Sequence, residues 1–584
     1  MRLIEIRLLE GPNVYRLEPV VKVELAIGRR RTWFGQRVPA RHALVRLGAA
    51  IPRRDWPEQV ETLAGWARRL RAGHGEGRGG IQVHRSSDPG HWIITWPWAG
   101  AERARSIAEA AVSLTERSAT PARRAHLTGA QERLLDQWTA RIGRASATPP
   151  PWVRDADRRM PVISISGTNG KSTTTRLVTR ILLEAGRHVG TTTSDGILVD
   201  ERMVEPGDWT GPGGAHEILA RSDVDIAVLE TARGGLVLRG VGYESNDVSI
   251  LTNVSSDHLD LQGIHTLPEL AEVKATICRI TRPAGWVILN ADDPLVRAVA
   301  RTVGANVAFF SQRGDASPVV RRHLATGGRA YLIRQGELGE AEGAHWTPIV
   351  AVREIPITLA GLARHNVANA MAAAAGARAA GLSVDEIRRG LLAFAPSTDS
   401  SPGRMNIFRN GGRVAIVDFA HNEAGLEVLL DLADGIAGGA GGRVTPITVI
   451  IGTAGDRPDD TLRGMGRIAA ARAQRLAFKE TLGYLRGRSR DSVIGELRAG
   501  AKAGGWTQDI PIYETETAAL RAELNGAGAA SDGSRHDAAR IVVLLCHEER
   551  AAVFALLRDL HFRPVETAAD LISLAPRLEE RPRR

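Results

Sequence analysis

Cysteine, lysine and long apolar runs are all scarce in this chain of 584 residues. Its two cysteines, Cys278 and Cys546, exclude a disulfide scaffold and a cysteine-rich metal site. No apolar run reaches the length of about 18 residues that a transmembrane helix needs, which excludes a spanning helix, and no membrane partner is expected. Acids and arginines interrupt the first apolar stretch, MRLIEIRLLE, so we expect no secretory signal and a cytoplasmic protein.

Lysine is rare although the chain is basic, with a formal net charge of +10. Arginine cannot replace lysine where a primary amine is needed, because the guanidinium stays protonated and cannot act as a nucleophile. The few lysines are therefore worth testing as functional residues. Lys22 and Lys502 lie in no motif and are predicted to be solvated surface residues. Of 76 basic residues, five are lysine: Lys22, Lys171, Lys274, Lys479 and Lys502.

Composition and linkers predict three domains, at 1–150, 151–398 and 399–584. The first 160 residues contain 28 Lys and Arg against 16 Asp and Glu, and eight of the 12 tryptophans precede residue 153. A proline-rich linker, SATPPPW, ends this basic part, and the segment PSTDSSPG marks the second boundary.

The basic, tryptophan-rich N-terminal domain allows two interpretations. Its surface could hold an anionic polymer or substrate. Alternatively, tryptophan fills the core of a small domain and arginine covers its face. No nucleic-acid-binding motif accompanies the charge, so nucleic acid is not an expected partner.

A glycine loop between an apolar run and a helical pattern predicts a phosphate site. PVISI is followed by SGTNGKSTTT and then by RLVTRILLEAG, which has apolar residues at helical spacing. Glycines let backbone N–H groups face a phosphate, lysine reaches the terminal phosphates, and the Ser172 hydroxyl can ligate Mg²⁺. The alternative is an ordinary glycine turn before a helix. The predicted ATP-binding residues here are Gly167, Thr168, Asn169, Gly170, Lys171, Ser172 and Thr173.

Two further segments predict metal ligands near this loop. DIAVLE is typical of a buried strand that ends at Glu230, and DVSILTN of a strand followed by a loop with Asp257 and His258. Ligands bind at the carboxyl ends of parallel strands, so Ser172, Glu230 and His258 are candidate ligands of Mg²⁺. Histidine is an unusual magnesium ligand, and His258 is either a ligand or a hydrogen-bonded loop residue.

A set of motifs carries a family resemblance. In chain order they are LLEGPNVY, GTNGKS, TTTSDGI, GDWTGPGGA, LETARGGLVLRG, NVSSDHLD, AEVKATI, NADDP, REIPITLAGLARHNVANA and LRGRSRDSVIGEL. They resemble the Mur ligase family and, within it, the Mur-like half of cyanophycin synthetase, with LLEGPNVY similar to the N-terminal domain of that branch. The resemblance implies an α/β fold: a Mur-ligase-like central P-loop ATPase domain, a C-terminal Rossmann-like α/β domain and a small basic α+β N-terminal domain.

The resemblance also implies an activity. Mur ligases use ATP and Mg²⁺ to join a carboxylate to an amine through an acyl phosphate, in a cleft that closes between the central and C-terminal domains. This branch adds arginine to an aspartyl side chain of a polymer. The ATP-grasp domain of that branch is expected to be absent here, which leaves room for a separate ATP-grasp partner enzyme and for a homo-oligomer. The alternatives are a Mur or folylpolyglutamate-type ligase with another acceptor, and a non-catalytic nucleotide- or polymer-binding remnant.

Several single residues take roles from the resemblance. Lys274 matches a lysine that is carbamylated in many Mur ligases and helps to hold a second Mg²⁺; the alternative is a solvated helix lysine. Asn290 matches a residue that contacts adenine. Arg404 matches an arginine on the transferring phosphate and Asp418 an aspartate on the ribose side, with His421 facing the same cleft.

Lys479 allows two interpretations. The segment FKETLGYLRGR lies near the amino-acid pocket in the resemblance, so Lys479 belongs either to the amine site or to a charged surface loop.

Overall fold

The computed structural model describes most of the chain, namely residues 1–28, 47–77, 79–117, 127–255, 259, 262–395, 403, 405–437, 445–525, 539–566, 570 and 573–574. Within these ranges no helix is both long and apolar enough to cross a bilayer. The chain forms two units. The first contains Met1–Phe310, Ser317–Ala330 and Ala375–Leu382, and the second contains Ser311–Ala316, Tyr331–Ala374 and Ser383–Arg584. The division into 1–150, 151–398 and 399–584 stays a prediction.

The N-terminal part of the first unit is a four-stranded antiparallel sheet with three helices. The strands run in the order β1-β2-β4-β3. Trp66 and Trp96 are each 1% exposed and lie in its core, which supports the interpretation of tryptophan as a core residue. The elements are β1 (Arg2–Leu9), β2 (Val20–Ala26), β3 (Gln82–Arg85), β4 (His91–Pro97), α1 (Glu58–Gly73), α2 (Ala101–Glu116) and α3 (Gly129–Arg144).

Lys22 corrects one prediction, because it is buried rather than solvated. It lies on the inner strand β2 and is 6% exposed. Its Nζ is 2.6 Å from Glu5 Oε1 and 2.9 Å from Glu24 Oε2. Burial by itself lowers the pKa of Lys22, but Tyr15, Glu24 and Glu5 outweigh burial and raise it. Buried charge is tolerated here because two carboxylates neutralise it. Lys502 is exposed, as predicted.

The rest of the first unit is a mainly parallel α/β layer around buried apolar strands. Six parallel strands run in the order β6-β9-β5-β10-β11-β12, and β7 and β8 extend the β6 edge antiparallel. The strands are β5 (Val162–Ser166), β6 (Val189–Thr192), β7 (Gly196–Val199), β8 (Arg202–Pro206), β9 (Ile226–Glu230), β10 (Asn246–Leu251), β11 (Thr281–Asn290) and β12 (Asn306–Phe310). The helices are α4 (Lys171–Glu184), α5 (Pro212–Leu219), α6 (Arg233–Leu238), α7 (Leu267–Lys274), α8 (Thr276–Arg279), α9 (Pro294–Ala298) and α10 (Pro318–Ala325).

The second unit contains a seven-stranded sheet in the order β20-β19-β18-β21-β17-β16-β22, in which β17 to β21 are parallel. Three further strands and two helices, which lie mainly in this unit, are β13 (Arg329–Arg334), β14 (Glu337–Glu342), β15 (His345–Ala351), α11 (Arg364–Ala379) and α12 (Val384–Ala393). The remaining strands are β16 (Asn406–Asn410), β17 (Arg413–Asp418), β18 (Ile447–Ile451), β19 (Arg475–Lys479), β20 (Ile512–Tyr513), β21 (Arg540–Leu545) and β22 (Arg563–Pro564). The remaining helices are α13 (Glu423–Ala437), α14 (Asp459–Arg472), α15 (Arg490–Ala503), α16 (Glu516–Asn525) and α17 (Arg550–Asp559).

This architecture agrees with the predicted fold class. A phosphate-loop α/β domain, a Rossmann-like C-terminal sheet and a small α+β N-terminal part are all present. Most parallel strands are rich in apolar residues because helices cover both faces of such sheets.

Candidate functional site

The glycine loop joins the end of β5 to the start of α4, as predicted. Gly170 adopts a left-handed conformation with φ 81° and immediately precedes the first helical residue, Lys171. The Lys171 Nζ donates to the Thr168 carbonyl at 2.9 Å, so the amine lies at the loop itself. A loop of this shape, at a helix N-terminus, is suited to an anionic phosphate.

The segment after β10 holds this loop in place. Asn253 Oδ1 accepts the Asn169 N–H at 2.9 Å, and Asn253 Nδ2 donates to the Asn169 carbonyl at 2.9 Å. Thr252 Oγ1 also donates to the Asn169 carbonyl, at 2.7 Å. A Cβ on Gly167 would lie 1.9 Å from Thr252 Oγ1, so this close approach requires glycine. The loop is therefore preformed by side chains from the neighbouring strand.

Glu230 ends β9 beside the start of the loop. It is in register with Ile165 of β5, and the next residue, Thr231, donates its N–H to the Ile165 carbonyl at 2.8 Å. Glu230 is 3% exposed and lines a small cavity at the ends of β6 and β9, together with Thr192. A buried carboxylate at the carboxyl end of a parallel strand is a suitable cation ligand.

Lys274 reaches the same loop from the end of α7. It is 4% exposed, and its Nζ donates to the Gly167 carbonyl at 2.6 Å. The alternative interpretation, a solvated helix lysine, is therefore wrong. Lys171 and Lys274 therefore both donate to carbonyls of the glycine loop, and the carbamate on Lys274 stays a prediction.

Asn290 and Asp293 connect the end of β11 to the segment after β10 that holds the glycine loop. Asn290 Nδ2 donates to the Thr252 carbonyl at 2.9 Å, and its Oδ1 accepts the Asp292 N–H at 2.9 Å. Asp293 caps α9 and also accepts the Val254 N–H at 2.7 Å. The Asn290 side chain thus fixes the NADDP turn, and its contact with adenine stays a prediction.

Two predicted residues lie outside the described residues: His258 and Arg404. The residues on either side of Arg404 are bound to the end of β17. The Asp418 carboxylate accepts the Met405 N–H at 2.7 Å, and Gly403 accepts the Phe419 N–H at 2.8 Å.

His421 lies three residues beyond the end of β17, and its place in the predicted cleft stays a prediction. Its Nδ1 is 3.2 Å from the Phe419 carbonyl, and its own carbonyl lies 3.5 Å from Thr453 Oγ1. His421 and Asp418 therefore both follow the carboxyl end of one parallel strand, where ligands bind in such sheets.

Lys479 is buried at the end of β19, so the surface-loop interpretation is wrong. Its side chain is 0% exposed, and its Nζ is 2.5 Å from Glu516 Oε1 and 2.9 Å from His547 Nδ1. His547 Nε2 is 3.0 Å from the Ala420 carbonyl, which indicates a neutral ring that accepts from Lys479 and donates to Ala420. Burial and the Lys479 charge lower the pKa of His547.

The pKa values of the neighbouring groups Lys479, Glu516 and Cys546 are also shifted. Burial lowers the pKa of Lys479. Burial acts to raise the pKa of Glu516, but the Lys479 charge and hydrogen bonds from Cys546 and the His547 backbone outweigh it. Burial and the Glu516 charge raise the pKa of the Cys546 thiol. An ion pair with this many hydrogen bonds can remain charged inside a protein.

Replacing Lys479 by methionine should destabilise the second unit by about 3–5 kcal/mol, because it leaves the Glu516 carboxylate buried without its cation. Equilibrium unfolding in urea, followed by circular dichroism, measures the change. The matched control is Lys502→Met, since Lys502 is exposed and should change stability by less than about 0.5 kcal/mol. A Lys479→Met protein as stable as its control would show that the pair contributes nothing to the fold.

The sequence interpretation missed the residues that hold the loop. Thr252, Asn253 and Asp293 carry no phosphate motif, and their importance comes from strand order. The available signal was the position of Asn253 directly after a buried strand, at the same sheet edge as the glycine loop.

Known proteins are similar to this chain in sequence. Residues 165–377 match the Mur ligase middle domain. The cyanophycin synthetase of Synechocystis sp. is 41% identical over 322 residues, which cover 55% of this chain and 36% of that enzyme. The cyanophycin synthetase of Geminocystis herdmanii is 38% identical over 366 residues, which cover 63% and 41%. The UDP-N-acetylmuramoyl-L-alanyl-D-glutamate–2,6-diaminopimelate ligase of Corynebacterium efficiens is 28% identical over 429 residues, which cover 69% and 75%.

These matches confirm the resemblance that the motifs predicted, to Mur ligases and to the Mur-like part of cyanophycin synthetase. The chain spans less than half the length of the two cyanophycin synthetases, 36% and 41%.

Proposed function

We propose that this chain, whose residues 165–377 form a Mur ligase middle domain, is an ATP-dependent ligase that joins a carboxylate to the amine of an amino acid. One observation carries the proposal. Two of only five lysines, Lys171 and Lys274, donate to carbonyls of the same glycine loop, and the buried Glu230 lies beside that loop. A protein that merely binds nucleotide does not need all three.

The donor set at the loop fits a nucleotide with magnesium. Backbone N–H groups and Lys171 would bind the phosphates. The Ser172 hydroxyl and the Glu230 carboxylate are hard oxygen donors of the kind that Mg²⁺ prefers, and His258 is the proposed third ligand. When bound, Mg²⁺ neutralises charge on the phosphate oxygens.

The proposed reaction has two steps. A carboxylate oxygen of the acceptor attacks the γ-phosphorus of ATP in line, and ADP leaves, which gives an acyl phosphate. The amine nitrogen then attacks the acyl carbon, loses a proton, and phosphate leaves as the amide forms. The protein contributes positioning and charge stabilisation rather than covalent chemistry.

We also propose roles for three residues that follow residue 398. The Arg404 guanidinium is suited to the transferring phosphate and the Asp418 carboxylate to the ribose. His421 follows the same strand end as Asp418 and is the proposed third contact there.

Similarity to cyanophycin synthetase supports arginine or a similar amino acid as the amine, and an aspartyl or peptide carboxylate as the acceptor. We also propose a separate ATP-grasp enzyme as the source of the acceptor, and a homo-oligomer as the assembly. The second candidate is a ligase with another acceptor, which the match to the diaminopimelate ligase favours.

The test is amine-dependent release of ADP from ATP across a panel of amino acids and carboxylate acceptors, with mass spectrometry of the product. We expect release only when an amine and an acceptor are both present, and a product whose mass is the sum of the two minus water. Nucleotide binding without stimulation by any amine would instead support a non-catalytic remnant.

A further inference from the structure

The start of helix α7 is held by the N-terminal domain, across a long separation in sequence. The turn between β3 and β4 contains Ser87 and Asp88. Ser87 Oγ donates to the Glu269 carboxylate, and Asp88 Oδ1 lies 2.9 Å from His265 Nε2. The two pairs are 182 and 177 positions apart in the chain.

Glu269 connects this contact to the helix itself. It completes a capping box with Thr266, and its Oε2 accepts the N–H groups of His265 and Thr266 at 2.9 Å each. Burial acts to raise the pKa of Glu269, but the hydrogen bonds from Ser87 and from these N–H groups outweigh it and lower the pKa. The carboxylate that begins α7 is therefore bound by both domains in its charged form.

The other end of α7 carries Lys274. The helix has eight residues, which span about 12 Å. Leu270 and Val273 are buried, so the helix cannot move without disturbing packed side chains. A shift at its start would therefore be passed to Lys274 and to the Gly167 carbonyl that it binds.

A second contact joins the N-terminal domain to the chain that follows Glu230. Glu10 donates its N–H to the Arg239 carbonyl at 2.7 Å, and Val241 donates to the Pro12 carbonyl at 2.7 Å. The Glu10 carboxylate also pairs with the Arg239 guanidinium at 2.7 Å. This segment directly follows α6, which begins three residues after Glu230.

We propose that the N-terminal domain positions the phosphate site, with Ser87 and Asp88 as positioning residues that fix the start of α7 and thereby the place of Lys274 on the glycine loop. The consequence for turnover rests on the proposed ligase function, whereas the mechanical coupling does not. The N-terminal domain then contributes to the geometry of the ATP site. This role is separate from any binding of a polymer by its basic surface.

Hydrogen exchange of the full chain tests the coupling without any turnover. Asp88→Asn should speed exchange about tenfold in peptides covering 262–275 and also in peptides covering the loop 166–172, because a charge-assisted contact is lost. The matched control is Asp55→Asn in the same domain, whose side chain is 54% exposed and should leave both regions unchanged. Unchanged exchange in α7, or an increase confined to α7, would overturn the proposal.

Two smaller changes at Ser87 are less able to unfold the protein, and they allow kcat and KM to be measured as well. Ser87→Ala removes the hydroxyl that donates to the Glu269 carboxylate, whereas Ser87→Thr keeps a hydroxyl. We expect Ser87→Ala to reproduce the exchange change and to lower kcat about tenfold with KM for the amine unchanged, and Ser87→Thr to restore both. If the wild-type protein showed no turnover, the proposed function would be wrong, but the coupling would not be affected. If both serine variants exchanged equally, the coupling would be wrong.

Discussion

Lys171→Ala should abolish amine-dependent release of ADP, with a loss of at least about 100-fold. The ammonium is the one side-chain cation of the glycine loop, and its Nζ already lies against the Thr168 carbonyl. Alanine removes the charge that would bind the terminal phosphates but leaves the backbone N–H groups, the left-handed Gly170 and the pinned Asn169 in place. Steady-state ADP release and calorimetric nucleotide binding measure the two effects separately.

The matched control for this variant is Lys502→Ala, which removes an exposed lysine from the second unit and should keep wild-type turnover. Unfolding temperatures of both variants should stay within a few degrees of wild type, because neither side chain fills the core. Turnover by Lys171→Ala within about threefold of wild type would mean that the loop is not the phosphate site.

The local frame of the site is predictable from sequence because it is built from neighbouring residues. An apolar run followed by a glycine loop and a helical pattern gives β5, the loop and α4, and a buried run that ends in an acid gives β9 and Glu230. The carboxyl ends of parallel strands meet at one edge, so Glu230 is expected near Lys171. The structure has these features at the expected positions.

The long-range partners are not predictable in this way. From sequence, Lys22 is predicted to be a surface residue, and Lys479 belongs either to the amine site or to a surface loop. Their burial is missed because their carboxylate partners carry no motif, and Glu516 lies 37 positions from Lys479. The same holds for the link between Ser87 and Glu269, which depends on how two domains pack. The periodicity of apolar residues shows which face of a helix or strand is buried, whereas these contacts depend on tertiary packing.

The scarcity of lysine helps to find such residues, because it does not depend on local periodicity. In a chain with 76 basic residues and five lysines, four of the five are held by specific contacts in the structure, and Lys502 is the exposed exception. Two of them bind the glycine loop and two form buried ion pairs. A guanidinium is a larger, planar fork of donors whereas an ammonium is a compact point charge, so arginine would not reproduce these contacts.

Lys274→Arg should be nearly as damaging as Lys274→Ala, with a loss of turnover of at least about 100-fold in both. The Nζ is buried against the Gly167 carbonyl, and a guanidinium there is larger and cannot form a carbamate. The carbamate that the family resemblance implies would form by attack of the neutral amine on CO₂ with loss of a proton, and it would replace a cation by an oxygen donor suited to a second Mg²⁺. Steady-state ADP release measures the loss, and Lys502→Arg is the control for arginine as such.

Chemical rescue separates a lost oxygen ligand from a damaged fold. Acetate should raise the turnover of Lys274→Ala about tenfold, because it can enter the space left by the side chain and offer a carboxylate to the metal. It should not rescue Lys274→Arg, whose side chain fills that space, and the neutral isostere acetamide should rescue neither. If Lys274→Arg turned over like wild type, or if acetate and acetamide acted alike on Lys274→Ala, Lys274 would be a packing residue of the loop and no carbamate would be needed.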